Sequence, residues 1–121
     1  MSGFFVELEQ KTVENTQYRE VLFTGPKSQL VVMSIAVGDD IGMEVHEDHD
    51  QFIRVEAGEG KAIIDSDEFA LRDGSAVVIP AGAEHNIVNT SESAPLKLYT
   101  IYTPPEHPDG TIHETKADAS K

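Results

Sequence analysis

Short hydrophobic runs rich in β-branched residues, each closed by a turn signal, constrain the fold of this chain more than any other feature. The first long run, residues 29–37, ends in Gly-Asp-Asp-Ile-Gly, and later runs are separated by Ala-Gly-Glu-Gly, Arg-Asp-Gly and Pro-Ala-Gly. Runs of this kind, spaced about 8 to 12 residues apart, predict an all-β antiparallel sandwich or barrel with little helix. The predicted strands are 29–37, 51–56, 61–64, 68–71, 76–79, 86–89 and 96–103.

The chain has the length of one domain. Its 121 residues fall within the usual range of about 100 to 150 residues for a single core. We expect one domain over residues 1–121, with a core at about 20–103 and a tail at 104–121. The tail is interrupted by prolines, and its end has little to bury, so it should lie across the barrel and fray at its end. His107 and His113 should be exposed there.

The charge balance excludes several classes of partner. Nine Lys and Arg against 22 Asp and Glu give a formal net charge of −13 at pH 7. Nucleic acids and anionic membranes are bound by clustered basic residues, so neither is an expected partner of this acidic protein. The sequence has no long apolar run and no basic, apolar leader at its start. We therefore predict a cytoplasmic protein.

Two spaced motifs carry the candidate chemistry. There is no cysteine, so a metal would have to be bound by His and oxygen ligands. The first motif is Gly38, Glu44, His46, Gln51 and Gly58, and the second is Gly74, Pro80, Gly82, His85 and Asn89.

Strand geometry explains how these motifs could form one site. Side chains two apart in a strand point the same way, so Glu44 and His46 should share a face. Gln51 begins the next strand on the face of Ile53 and Val55, which should be interior. With His85 arriving from the second motif, two imidazoles and two oxygens would meet near the barrel mouth. Such a set, Glu44, His46, Gln51 and His85, suits a divalent transition metal (Mn, Fe, Co, Ni or Zn) with open positions.

The two motifs resemble those of the cupin superfamily, specifically its small single-domain members. In that family Gly, His, His, Glu and Gly follow one another at the spacing of the first motif, and Gly, Pro, Gly, His and Asn at that of the second. Here Glu44 stands where the first His is usual and Gln51 where the Glu is usual. Both replacements still offer an oxygen ligand, so we expect the metal to be retained. The likeness covers about residues 30–102.

The resemblance implies a double-stranded β-helix, or jelly roll, that is commonly a homodimer. One group of small cupins shares similar Glu-Val-His and Asp-Gln-Phe segments and a Tyr-x-Pro-Pro-Glu-His tail, and is called sugar-phosphate isomerase-like by analogy. We therefore expect a metal-dependent enzyme that uses Lewis-acid catalysis on a small sugar-like or keto-acid substrate. The alternatives are an Fe-dependent dioxygenase and a non-catalytic barrel that binds a metal or small ligand.

Other residues have simpler interpretations. His49 lies in a Glu-Asp-His-Asp turn that is typical of a solvated loop, so it is left out of the metal set, although an acid or base role at the mouth stays open. Asn89 should bind backbone rather than substrate. Phe52 and Arg54 should face outward, where they would suit a dimer interface. Tyr99 and Tyr102 should point to opposite faces, and one of them could line the pocket.

Overall fold

Two antiparallel sheets form the body of the protein. The computed structural model describes residues 2–120. One sheet has the strand order β10-β1-β2-β9-β4-β7 and the other β3-β8-β5-β6. The strands are β1 (Arg19–Thr24), β2 (Gln29–Ile35), β3 (Glu44–Val45), β4 (Asp50–Ala57), β5 (Gly60–Ile64), β6 (Asp67–Leu71), β7 (Ala76–Ile79), β8 (Glu84–Asn89), β9 (Leu96–Thr103) and β10 (Ile112–His113); the helices are α1 (Leu8–Glu14) and α2 (Lys116–Ala119).

The core lies between the inner faces of the two sheets. Burial alternates along β4 and β9, as expected for strands with one face inward. Gln51, Ile53 and Val55 are all buried, which confirms their predicted interior face. Removing the apolar side chains of both inner faces from water drives the sheets together. The predicted all-β jelly roll is therefore confirmed.

The seven predicted strands are present with bounds shifted by two residues or fewer, and three further strands were not predicted. β3 and β10 have two residues each, which is too short for a period-two pattern to show. β1 begins with Arg19 and Glu20. These two charged residues obscure the alternation of apolar and polar residues by which a strand is predicted from sequence. It pairs with β2 on one side and with β10 on the other.

The segment before β1 covers the outer face of the larger sheet. Helix α1 contacts β2, β4 and β9. Val32 of β2 is completely buried although it alternates with the core residues Val31 and Met33, so its burial comes from the outer side. Neither α1 nor α2 is long and apolar enough to cross a membrane.

The tail is anchored to the barrel by one buried side chain. The Gln29 amide nitrogen donates to the His107 carbonyl at 2.7 Å, and its oxygen accepts from the backbone N–H groups of Glu106 and His107 at 3.1 and 2.9 Å. Three bonds to one backbone segment fix residues 106–107 against the larger sheet. The tail thus lies across the barrel, held by backbone contacts that its own sequence does not reveal.

One expectation about the tail was wrong. His107 and His113 are partly buried, not exposed, because His107 lies against the Tyr102 ring and His113 against Arg19. Residues 116–119 form α2, which begins with a capping box between Thr115 and Asp118, and fraying of the chain end stays a prediction.

Lys116 ties α2 to the loop after β2. Its ammonium group lies 2.7 Å from Asp40 and 3.2 Å from Asp39. The hydrogen bond from the Asn86 amide is the largest effect that lowers the pKa of Asp40 below its usual value, and the hydrogen bond from Lys116 is the second largest. These side chains are more than one third exposed, so solvent weakens the pairing.

We expect Lys116→Met to lower the free energy of unfolding at pH 7 by no more than about 1 kcal/mol. A carboxylate whose pKa is lowered by folding stabilises the protein above its unfolded pKa, and that contribution is lost as the pH falls through the folded value. The difference between wild type and variant should therefore shrink below about pH 4. Urea unfolding at pH 7 and pH 3 measures it, with Lys61→Met, which removes another exposed pair, as the control. If wild type and Lys116→Met differed equally in free energy of unfolding at pH 7 and pH 3, the pairing of Lys116 with Asp40 would not be the cause of the difference.

Candidate metal site

Three of the four predicted ligands meet at one end of the barrel. Glu44 of β3 pairs directly with His85 of β8, and His46 follows β3 immediately. The Glu44 Oε2 and His46 Nε2 atoms are 3.2 Å apart, and the His46 and His85 ring centroids are 5.3 Å apart. Adjacent ligands of an ion with bonds of about 2.1 Å lie about 3 Å apart. The spacing of Glu44 and His46 therefore fits two ligands of one ion.

The buried His85 ring is held by a hydrogen bond to the backbone. The residue is 4% exposed, and its Nδ1 atom lies 3.0 Å from the Ala83 carbonyl oxygen. A carbonyl only accepts, so Nδ1 is the donor in this bond, and Nε2 is the ring nitrogen left to bind a metal. Metal-binding histidines are oriented by this kind of second hydrogen bond.

Gln51, the fourth predicted ligand, lies on β4 in the opposite sheet. Its side chain is buried, and its amide nitrogen donates to Thr100 Oγ1 at 3.0 Å. Its Oε1 atom is buried without a hydrogen-bond partner. A buried carbonyl oxygen without a partner costs about 1–3 kcal/mol, and a metal bond would remove that cost. Gln51 is paired in the sheet with Tyr102, whose ring centroid is 5.9 Å from that of His46.

A second group of donor atoms shares His46 with the predicted ligand set. This group was not predicted from the sequence. His46, His49 and Glu106 each offer an atom within 4.8 Å of the others. Glu106 Oε2 lies 3.4 Å from His46 Nδ1 and contacts His49 Nε2, while His49 Nδ1 donates to the Pro104 carbonyl at 3.0 Å. This cluster is compatible with a divalent metal ion.

The placement of His49 differs from its predicted solvated position. Its side chain is 17% exposed, because the tail folds back over the turn that carries it. Glu106 was not singled out from the sequence at all. The available signal was the Pro-Pro-Glu-His segment just after the last long strand, where two prolines restrict the backbone and an acid and a histidine follow.

Two aromatic side chains near His46 are themselves uncharged at neutral pH. Burial raises the pKa of Tyr102, so its phenol stays neutral. Burial, and then the charge of Arg19, lower the pKa of His107 to about 4, so this imidazole is neutral at pH 7. The Tyr102 ring lies between the histidines, with centroids 5.2 Å from His107 and 6.3 Å from His49. Tyr102 is therefore the tyrosine of the predicted pair that lines the site. Tyr99 packs on Phe52, with ring centroids 6.3 Å apart.

Two surface clefts lie away from this site. One of about 460 Å³ is lined by Tyr18, Ser34, Glu114 and their neighbours, and one of about 300 Å³ by Gly58, Glu59 and residues near Ser91. Neither contains any of the clustered histidines. The histidine cluster is the candidate metal site because ligand atoms converge there, whereas the described residues that line the clefts form no comparable set.

Asn89, the last residue of the second motif, binds backbone as expected. Its amide nitrogen donates to the carbonyls of Ile35 and Ala94 at 3.0 Å and of Ala36 at 3.2 Å. Its Oδ1 accepts from the backbone N–H of Ser91 at 2.8 Å. Asn89 therefore joins the end of β8 to two loops and takes no direct part in the site.

The chain is similar to known proteins along most of its length. The sequence pattern of the Cupin domain family matches residues 31–102. YrkC of Bacillus subtilis (strain 168), described as an uncharacterized protein, is 46% identical over 122 residues, which cover 96% of this chain and 65% of YrkC. The chain thus spans less than two thirds of that relative's length.

Solved structures share the fold. The crystal structure of BH2720 from Bacillus halodurans superposes with a TM-score of 0.95 at 46% identity, covering 98% of this chain and 94% of that one. TT1209 from Thermus thermophilus has a TM-score of 0.73 at 24% identity, covering 83% and 96%, and shows a likeness of fold alone. With the family pattern spanning more than half of the chain and both motifs in one barrel, the protein belongs to the cupin family.

Proposed function

We propose that this cupin is a metal-dependent enzyme that acts on a small oxygen-rich substrate. The observation that carries the proposal is the buried, unpartnered Oε1 of Gln51. It is supported by His85, whose free Nε2 remains after Nδ1 is bound to Ala83, and by the 3.2 Å separation of Glu44 and His46. The proposed ligands are Glu44, His46, Gln51 and His85.

The donor set favours a divalent transition metal. Imidazole nitrogens with carboxylate and amide oxygens suit Mn, Fe, Co, Ni or Zn, and four protein ligands leave positions for substrate. When bound, such an ion supplies Lewis acidity that polarises a carbonyl or hydroxyl oxygen of the substrate.

Glu106 is placed to move a proton beside that site. Its Oε2 contacts His49 and lies 3.4 Å from His46. A carboxylate in this position can take a proton from a substrate C–H or O–H group, and His49 can carry the proton on toward solvent. Isomerase, epimerase or lyase chemistry needs this kind of proton acceptor. We therefore assign Glu106 and His49 the acid–base role in the proposed reaction.

Elemental analysis of protein purified without a metal-affinity column tests the proposal. We expect a near-stoichiometric divalent metal in wild type and at least a tenfold loss in His46→Ala and in His85→Ala. His113→Ala is the matched control, because this histidine lies on β10 against Arg19, and its metal content should equal that of wild type. No metal in any sample after reconstitution would sink the proposal.

The identity of the metal separates the remaining candidates. Iron together with substrate-dependent O2 uptake would favour the dioxygenase, whereas a metal of any kind without turnover would favour the non-catalytic barrel. A homodimer that uses the face of Phe52 and Arg54 stays a prediction, as does a cytoplasmic location.

A further inference from the structure

Arg19 is a buried cation on the inner face of the larger sheet. It lies two residues before the core residue Val21 on β1, so the two side chains point to the same face, and both are buried. Arg19 is 7% exposed, which is unusual for an arginine, because charged side chains are rarely buried unless they are paired.

The contacts of Arg19 leave its positive charge without a counter-charge. Its Nη1 atom lies 3.3 Å from His113 Nδ1, and its guanidinium carbon lies 5.2 Å from the Tyr18 ring centroid. The Nε atom is buried with no hydrogen-bond partner. Among residues 2–120, no carboxylate lies within ion-pair distance of Arg19, whereas Arg54 has Glu56 at 3.1 Å.

A second buried polar atom without a partner lies in the tail. The Nε2 atom of His107 is buried without a hydrogen-bond partner, and Gln29 fixes the His107 backbone. Among charged groups, Arg19 has the largest effect on the pKa values of both His107 and Tyr102, and the ring centroids of His107 and Tyr102 are 5.2 Å apart. Tyr102 also contacts His46, which connects this region to the metal site.

A buried charge without a partner is costly, so its presence calls for an anion. We propose that Arg19 and His107 form a binding site for the carboxylate group of the substrate, adjacent to the metal ligands. Arg19 donates from Nε, and His107 donates from Nε2 in its neutral form. This inference rests on the proposed function and narrows it to small carboxylic acids, of which keto acids are one class.

The surroundings favour a carboxylate over a phosphate. A guanidinium presents its donors in a plane, which matches a planar carboxylate. The turn and tail around the site carry many acids, and the whole chain has a net charge of −13. A phosphate dianion would meet twice the repulsion of a monocarboxylate. The acidic residues at this end are Glu44, Glu47, Asp48, Asp50 and Glu106.

Binding of pyruvate and its neutral amide, pyruvamide, to metal-free protein tests the proposal. The two compounds have almost the same shape and differ in charge. We expect wild type to bind pyruvate at least tenfold more tightly than pyruvamide in a calorimetric or NMR titration, and inorganic phosphate to compete poorly. Because no metal is present, failure of the metal proposal would not affect this result, and failure here would leave the metal analysis unchanged.

Arg19→Met should abolish the preference for pyruvate and leave pyruvamide binding within about twofold of wild type. Arg54→Met is the matched control: it removes an arginine whose partner is Glu56, and it should keep the preference. Without ligand, Arg19→Met should melt no lower than wild type, because it removes an unpaired buried charge. If Arg19→Met does not fold, Arg19→Lys takes its place; it keeps the charge but not the planar donors, and the preference should fall at least fivefold.

Four outcomes would overturn the assignment. They are equal binding of pyruvate and pyruvamide by wild type, a preference retained in the Arg19 variant that folds, a melting temperature of Arg19→Met well below that of wild type, and phosphate binding that is tighter than pyruvate binding. The third would mean that Arg19 serves to hold β10 through His113, and the fourth that the anion is a phosphate.

Discussion

Gly58→Ala is expected to lower the free energy of unfolding by at least about 4 kcal/mol, a large loss for one methyl group. Gly58 has φ of +103°, and a Cβ there would lie 2.6 Å from the Pro95 carbonyl oxygen and 3.1 Å from Leu96 Cα. Both atoms are backbone, so no side chain can move aside. The loop before β9 would have to shift, and β9 is paired with both β2 and β4.

Gly74→Ala is the matched control for this prediction. Gly74 also has a positive φ, +87°, but a Cβ there would meet nothing within 4 Å. Gly74→Ala should therefore lose only the free energy that alanine needs to adopt a positive φ, about 1–2 kcal/mol. Chemical denaturation of both variants measures the two losses. Equal losses would mean that close packing against Pro95 does not constrain Gly58.

The second large effect is expected at Asn89, where Asn89→Asp should lower the free energy of unfolding by at least about 4 kcal/mol at pH 7. The amide nitrogen that donates to three backbone carbonyls would be replaced by an oxygen that cannot donate when ionised. The residue is 2% exposed, so water cannot compensate. The new carboxylate would face three carbonyl oxygens in a medium of low polarity.

Asn89→Ala and the pH dependence provide the checks for this second prediction. Alanine leaves the carbonyls without donors but adds no repulsion, so its loss should be smaller, about 3 kcal/mol. The introduced carboxyl should titrate at a raised pKa in the folded state, so the loss in Asn89→Asp should grow as the pH rises above about 4. A loss in Asn89→Asp that equals the alanine value at pH 7 would contradict the hydrogen-bonding role.

These two residues explain why the motifs identify the fold more firmly than the activity. Gly58 and Asn89 are motif positions, yet their contacts are with the backbone of the loops and strands around them. Among the motif positions, only Glu44, His46, Gln51 and His85 are candidates to contact a metal, and two of those four differ from the residues usual in the family. The same pattern can therefore persist in barrels with different chemistry.

Local features of the sequence determined the strands. β-branched runs and turn residues act through neighbours in the chain, so β2, β4 and the strands from β5 to β9 could be predicted with little error. The alternation that places Gln51 with Ile53 and Val55 is equally local. The spacing of Glu44 and His46 also depends on only three residues, and the structure brings their side chains together.

The rest of the site depends on contacts between distant parts of the chain. Glu106 and His107 reach the barrel mouth because Gln29, more than 75 positions earlier, binds their backbone. Arg19 lies inside because β1 pairs with β2 and β10, and nothing around it in the sequence indicates a buried cation. The sequence by itself determined the barrel and indicated four candidate ligands, since both follow from local pattern and spacing. Only the tertiary structure decided which charged and polar groups from β1, the His49 turn and the tail surround those ligands, because their burial depends on long-range backbone pairing.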